Sequence, residues 1–86
     1  MKSHFSEKAR SDLDSMTQDM RVIFVKHAEK LENMPPRRHM RHGLPCYVEE
    51  VTKQARMIYG IKCDEIEILH CFTDHKEYER WYKGFK

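Results

Sequence analysis

Cysteine is scarce in this 86-residue chain, and the three present, Cys46, Cys63 and Cys71, are odd in number and far apart. That argues against a disulfide framework and fits reduced thiols in a cytoplasmic protein. No apolar run approaches the ~20 residues that a membrane-spanning helix needs. The opening Met1-Lys2-Ser3-His4-Phe5-Ser6-Glu7-Lys8 has no apolar stretch of the kind a secretory leader carries, so export is not expected. Neither sign of charge is in large excess. There are 16 Lys and Arg against 14 Asp and Glu, giving a net charge of +2, which is too mild to argue for nucleic acid by itself. Internal repeats, low-complexity tracts and linkers are missing. His39, His42, Cys46, His70 and Cys71 are the scattered candidates for metal ligands, and they lack the paired C-x-x-C or H-x(3–5)-H spacing of a zinc site. Neither a metal nor a cofactor is expected.

What is present describes one small domain spanning residues 1–86. Apolar residues make up 40% and charged residues 35%, a globular balance rather than a disordered one. Ser6 or Asp12 can start a first helix, with Phe5, Ala9, Leu13 and Met16 near helical spacing. Thr17 reads as the cap of a second helix, in which Met20, Ile23, Phe24, His27, Leu31 and Met34 form the strongest periodic stripe. Pro35-Pro36 ends it, since neither ring can donate a hydrogen bond.

Residues 37–45 read as a basic loop. Strands are then predicted at Tyr47–Val51, Ala55–Lys62 and Glu65–Phe72, the last alternating through Ile66, Ile68, His70 and Phe72. Cys63-Asp64 suits a tight hairpin turn. After Thr73-Asp74, Tyr78, Trp81, Tyr82 and Phe85 share one face of a last helix. Lys2–Phe5 reads as the stub of a first strand. The predicted class is α+β: two N-terminal helices on one face of a small antiparallel sheet of three to four strands, a short C-terminal helix, and the other sheet face free.

Four stretches, in this order, carry a resemblance. Phe5-Ser6-Glu7-Lys8-Ala9-Arg10-Ser11-Asp12-Leu13 resembles a strand-to-helix opening of the form F-S-x-x-A-x-x-D-L. His42-Gly43-Leu44-Pro45-Cys46-Tyr47 resembles a G-x-P-x-x-Y-like entry to a second strand. Arg56-Met57-Ile58-Tyr59 resembles an R-hydrophobic-hydrophobic-Y core strand. Ile66-Glu67-Ile68-Leu69 followed by His75-Lys76-Glu77-Tyr78 resembles a last strand with its H-[RK]-x-x-[VY] end. Together they resemble the RelE/ParE superfamily of toxin–antitoxin toxins over nearly the whole length.

The resemblance implies a metal-independent mRNA endoribonuclease that inhibits translation, acting on free message or on the ribosome, and a cognate antitoxin as partner. Arg56 matches the family's phosphate-binding arginine; its bland alternative is an edge arginine paired with Glu49, Glu50 or Glu67. His75 matches a catalytic histidine, and histidine exchanges protons near neutrality. Lys76 follows it as a cation for phosphate, and Tyr78 is a candidate to stack on a base. Glu50 is a candidate general base.

Arg37, Arg38 and Arg41 suit contacts to an RNA backbone. Glu49 and Glu50 depart from the basic residues that ribosome-binding relatives carry on this strand. Two other readings stand beside the ribonuclease: a ParE-like, non-enzymatic inhibitor of DNA gyrase, and a non-toxic binding module of the same fold. The free sheet face and the aromatic last helix are the surfaces on which the antitoxin is expected.

Overall fold

Ser6 ends the first strand and starts the first helix in a single residue. Its extended backbone (φ −66°, ψ 168°) lets the hydroxyl accept the Ala9 N–H at 3.1 Å, satisfying one of the orphan donors of a helix start. Thr17 does the same for Met20 N–H at 3.3 Å. The computed structural model describes residues 2–33 and 46–84. Its elements are β1 (Lys2–Phe5), α1 (Glu7–Asp14), α2 (Gln18–Leu31), β2 (Tyr47–Glu50), β3 (Arg56–Lys62), β4 (Glu65–Phe72) and α3 (His75–Lys83). Asp12, the other candidate for a helix start, lies in the last turn of α1. The predicted basic loop, Met34 and Phe85 lie outside the described residues.

The sheet runs β1-β4-β3-β2. β2 pairs antiparallel with β3 and β3 with β4, but β1 runs parallel to β4, with Lys2 opposite Glu65 and Phe5 opposite Ile68. The sheet is therefore mixed, a correction to the all-antiparallel expectation. The α1–α2 hairpin follows β1, and a parallel pairing of β1 with β4 is one that needs such a long connection rather than a tight turn. Glu32, just past α2, holds the strand start in place. Its carboxylate accepts from Ser3 Oγ at 2.6 Å and Ser3 N at 2.9 Å, and these bonds hold its pKa below the usual carboxylate range.

One sheet face carries the main core. Phe24, Ala28 and Leu31 of α2 and Ala9 of α1 pack on Met57, Tyr59, Ile66, Ile68 and Cys71. Phe24, Met57 and Ile68 are completely buried, each such side chain stabilising by roughly 1.5–3 kcal/mol. Burial, with Glu49 and Tyr47 nearby, pushes the Tyr59 phenol up to about 12. The β3–β4 hairpin closes on Cys63 (φ 52°) and Asp64 (φ 62°), both left-handed, as a two-residue type I′ turn requires.

The opposite face is not free. Ile58, Val48, Leu69 and Phe72 meet Tyr78, Trp81 and Tyr82 of α3 in a second cluster. A register shift decides which side chains of β4 join it. Tyr59 is opposite Ile68 but Ile58 is opposite His70, so Leu69 is an extra residue in β4 and forms a β-bulge. Alternation through Ile66 and Ile68 therefore does not continue to His70 and Phe72. Cys71 takes the core side, while His70 and Phe72 turn to α3, their rings 5.4 Å apart and nearly parallel.

Candidate active site

The register brings several of the candidate residues to one end of the α3 face. Glu50 of β2 is opposite Arg56 of β3, and Arg56 is opposite Phe72 of β4. Tyr78 of α3 reaches this row with its ring 6.2 Å from Phe72, and His75 lies over Tyr78 at 5.7 Å with an interplanar angle of 26°. Glu50 and Arg56 from one part of the sequence and His75 and Tyr78 from another thus form one chain of neighbours, with Phe72 as the link. Phe72 was not among the sequence candidates. The signal for it was its place at the end of β4, directly before the helix carrying His75, but the bulge that aims it cannot be read from alternation.

Arg56 owes its position to the loop between β2 and β3. Thr52 Oγ1 accepts from Gln54 N and Ala55 N, and Val51 N donates to Ala55 O, closing a five-residue link. Arg56 Nη1 donates to the carbonyls of Thr52, Lys53 and Ala55 at 2.9, 3.1 and 2.9 Å. It has no ion pair among the described residues, so the alternative of an arginine paired with Glu49, Glu50 or Glu67 does not describe it. One edge of its guanidinium holds the loop. Nε and Nη2 have no hydrogen bond among the described residues and remain a donor pair for an anion.

Glu49 points to the other face and pairs with His27 of α2 at 3.3 Å, both side chains about one-fifth exposed. His27 is thus tied to the second strand rather than buried in the apolar stripe. Glu50 is exposed.

Asp74 caps α3, its carboxylate accepting the Lys76 N–H at 3.0 Å. This sets His75 as the first helical residue and puts the exposed Lys76 side chain at the positive end of the helix dipole. His75 Nε2 is 3.4 Å from Glu79 Oε1 on the next turn, whereas Nδ1 is buried without a hydrogen bond. Such an unsatisfied nitrogen calls for an explanation, and a ligand group is one. Tyr78 packs between His75, Phe72 and Tyr82. Trp81 packs on Phe72 at 5.7 Å and His70 at 4.9 Å. Arg37, Arg38 and Arg41 lie outside the described residues.

His70 stands between Phe72 and Trp81, with Nδ1 3.8 Å from Asp12 Oδ2, too long for a hydrogen bond. Burial lowers its pKa against the opposing pull of Asp12, which favours the uncharged ring. The Asp12 carboxylate is occupied elsewhere, accepting the Cys71 N–H at 3.0 Å and pairing with Lys8 at 3.2 Å. Burial and Asp12 push the Cys71 thiol up to about 12. Among the described residues no group of three or more His, Cys, Asp and Glu is arranged to hold a metal ion, and no helix is long and apolar enough to cross a membrane.

No protein-family model matches the chain, and no curated protein sequence does. Solved structures do match. The isolated RelE toxin of E. coli is 14% identical with a TM-score of 0.71, over 99% of this chain and 98% of that one. A RelBE toxin–antitoxin complex from Mycobacterium tuberculosis gives 18% and 0.72, over 86% and 91%. The YoeB–YefM complex from Staphylococcus aureus gives 14% and 0.66, over 83% and 93%. At these identities the likeness is one of fold: the chain has the RelE-type toxin fold.

Proposed function

We propose that this chain is the toxin of a toxin–antitoxin pair and cleaves RNA without a metal. The observation that carries this reading is the row Glu50, Arg56, Phe72, Tyr78 and His75 across one end of the sheet. Cleavage by the ribose itself needs three things. A base removes the 2′-OH proton, fixed cations stabilise charge on the phosphate oxygens, and an acid protonates the departing 5′-oxygen. The exposed Glu50 carboxylate is the candidate base. The unused Nε and Nη2 of Arg56 form the phosphate fork, helped by Lys76. His75, held at the α3 start, is the candidate acid, and the Tyr78 ring offers a stacking surface. Arg37, Arg38 and Arg41 are candidates for further contacts to the RNA backbone.

The solved RelBE and YoeB–YefM structures are complexes of toxins with antitoxins, which supports a protein partner for this chain as well. The part of the α3-side face not covered by α3 and the exposed flank of α3 are the surfaces for it. Expression of wild type, Arg56→Ala and His75→Ala, scored for growth and for new RNA ends, tests the reading. Growth arrest with new ends in wild type and neither in the variants is expected; intact RNA in arrested wild-type cells overturns it.

A second reading draws on the same contacts. Arg56 is tied to three carbonyls and His75 to Glu79, which a gyrase-binding, non-enzymatic protein would equally keep. In that case His75→Ala still arrests growth, and gyrase is inhibited in vitro.

A further inference from the structure

A concavity that adjoins the Glu50–Arg56 row at Phe72 opens at the C-terminal end of β4. There α1 and α3 leave a cleft of about 500 Å3. Its volume lies within the ~300–1,000 Å3 of small-ligand sites, which suits one nucleotide and is too small for a helix. Two aromatic rings, Phe72 and Trp81, are in its lining, with ring centroids 5.7 Å apart. The two walls each bring a cation to the rim, Lys8 from α1 and Arg80 from α3. Two carboxylates are also present. Asp12 accepts the Cys71 N–H and pairs with Lys8 at 3.2 Å, so a phosphate here shares the Lys8 ammonium with that carboxylate, and the exposed Glu77 stands one turn before Arg80. Arg80 has no ion pair among the described residues.

Aromatic rings and paired cations are the two elements of single-strand recognition, stacking for the base and charge for the phosphate. Phe72 is shared: it lines the cleft and is the register neighbour of Arg56. We propose that the cleft takes one nucleotide flanking the scissile bond of a single-stranded RNA, its base on Trp81 and Phe72 and its phosphate between Lys8 and Arg80. This deepens the ribonuclease reading and rests on it. Glu77 acts as an acceptor at the rim for a base amine, which makes the site more than a generic cationic groove.

Trp81 is the single tryptophan of the chain, so its emission reports on this cleft directly. The full chain is titrated with a short 2′-O-methyl oligoribonucleotide, which binds but has no 2′-OH to attack. A saturable change in Trp81 emission is expected. Lys8→Gln combined with Arg80→Gln should weaken it roughly tenfold and flatten its salt dependence, because each lost phosphate contact removes counterion release. Both residues are exposed, and a thermal melt confirms that the double variant is folded. Heparin, a polyanion without bases, should not reproduce the signal.

No emission change, an unweakened double variant, an equal response to heparin, or a response only to an acidic peptide overturns the proposal. The two readings fail separately. Cleavage that needs Arg56 without any emission response removes the cleft and keeps the ribonuclease. A response that depends on Lys8 and Arg80 without cleavage keeps the cleft and removes the ribonuclease.

Discussion

Replacing Asp12 by alanine removes the acceptor of the Cys71 N–H, on the stretch of β4 edge that β1 leaves uncovered beyond Ile68. Cys71 is 4% exposed, and leaving a buried donor unmade costs about 1–3 kcal/mol. The cleft beside Asp12 admits water to that N–H once the side chain is gone, so the lower half of that range, about 1–2 kcal/mol, applies. The Lys8 pair, with its ammonium in solvent, adds only about 0.3 kcal/mol. For a domain of this size that corresponds to a fall in Tm of roughly 5–15 °C. Asp12→Asn keeps a carbonyl acceptor in the same place and should cost less than half as much. Thermal melts of the three proteins, with amide exchange at Cys71, are the assay. Equal losses for the two variants, or an unchanged Cys71 exchange rate in Asp12→Ala, would refute the assignment of this carboxylate to the strand edge.

Other parts of the structure give outcomes as definite. Because burial holds the folded His70 below its unfolded value of about 6.5, its contribution to stability is complete above that pH and is lost as pH falls through the folded value. The fall in wild-type Tm between pH 7.5 and pH 5 should therefore be steeper than that of His70→Gln, and parallel curves would sink the argument. Under native conditions at pH 8 iodoacetamide should label the exposed Cys63 and spare Cys46 and Cys71, whose thiols are buried and raised; mass spectrometry of the adducts decides. Both residues of the β3–β4 turn have positive φ, so Cys63→Asn with Asp64→Gly should stabilise by about 1 kcal/mol, and a lower Tm would show that the turn is not of this type.

The sequence was most readable where one local rule decides the outcome. Thr17 with the stripe through Phe24 and Leu31 marked α2, and the turn at Cys63-Asp64 marked the hairpin. Thr73-Asp74, either of which can cap a helix, marked α3, and Asp74 is the cap. The direction of β1 could not be read, because a four-residue strand shows the same alternation whether its neighbour is parallel or antiparallel. The bulge at Leu69 was hidden for a related reason. Ile66, Ile68, His70 and Phe72 keep an unbroken two-residue period in sequence, and only the packing of Cys71 against α2's side of the sheet shows the slip. At the site, Arg56 stood out as a charge within an apolar strand, whereas its three carbonyl contacts depend on a loop whose shape the sequence did not disclose. Phe72 and the cleft at its side were missed because an aromatic at a strand end reads as packing.

The parallel pairing of β1 with β4 also sets a schedule for biosynthesis. Lys2–Phe5 has its strand partner in Glu65–Ile68, about sixty residues later, so the first strand leaves the ribosome long before anything exists for it to pair with. Contacts of such separation form late and carry the loop-closure cost of everything between. α3, which carries His75, is made later still. A chain interrupted before β4 has neither a closed sheet nor the row around Phe72, whatever helices it has formed. Incomplete products thus lack the assembled sheet, and the row around Phe72 exists only once β4 and α3 have both been made.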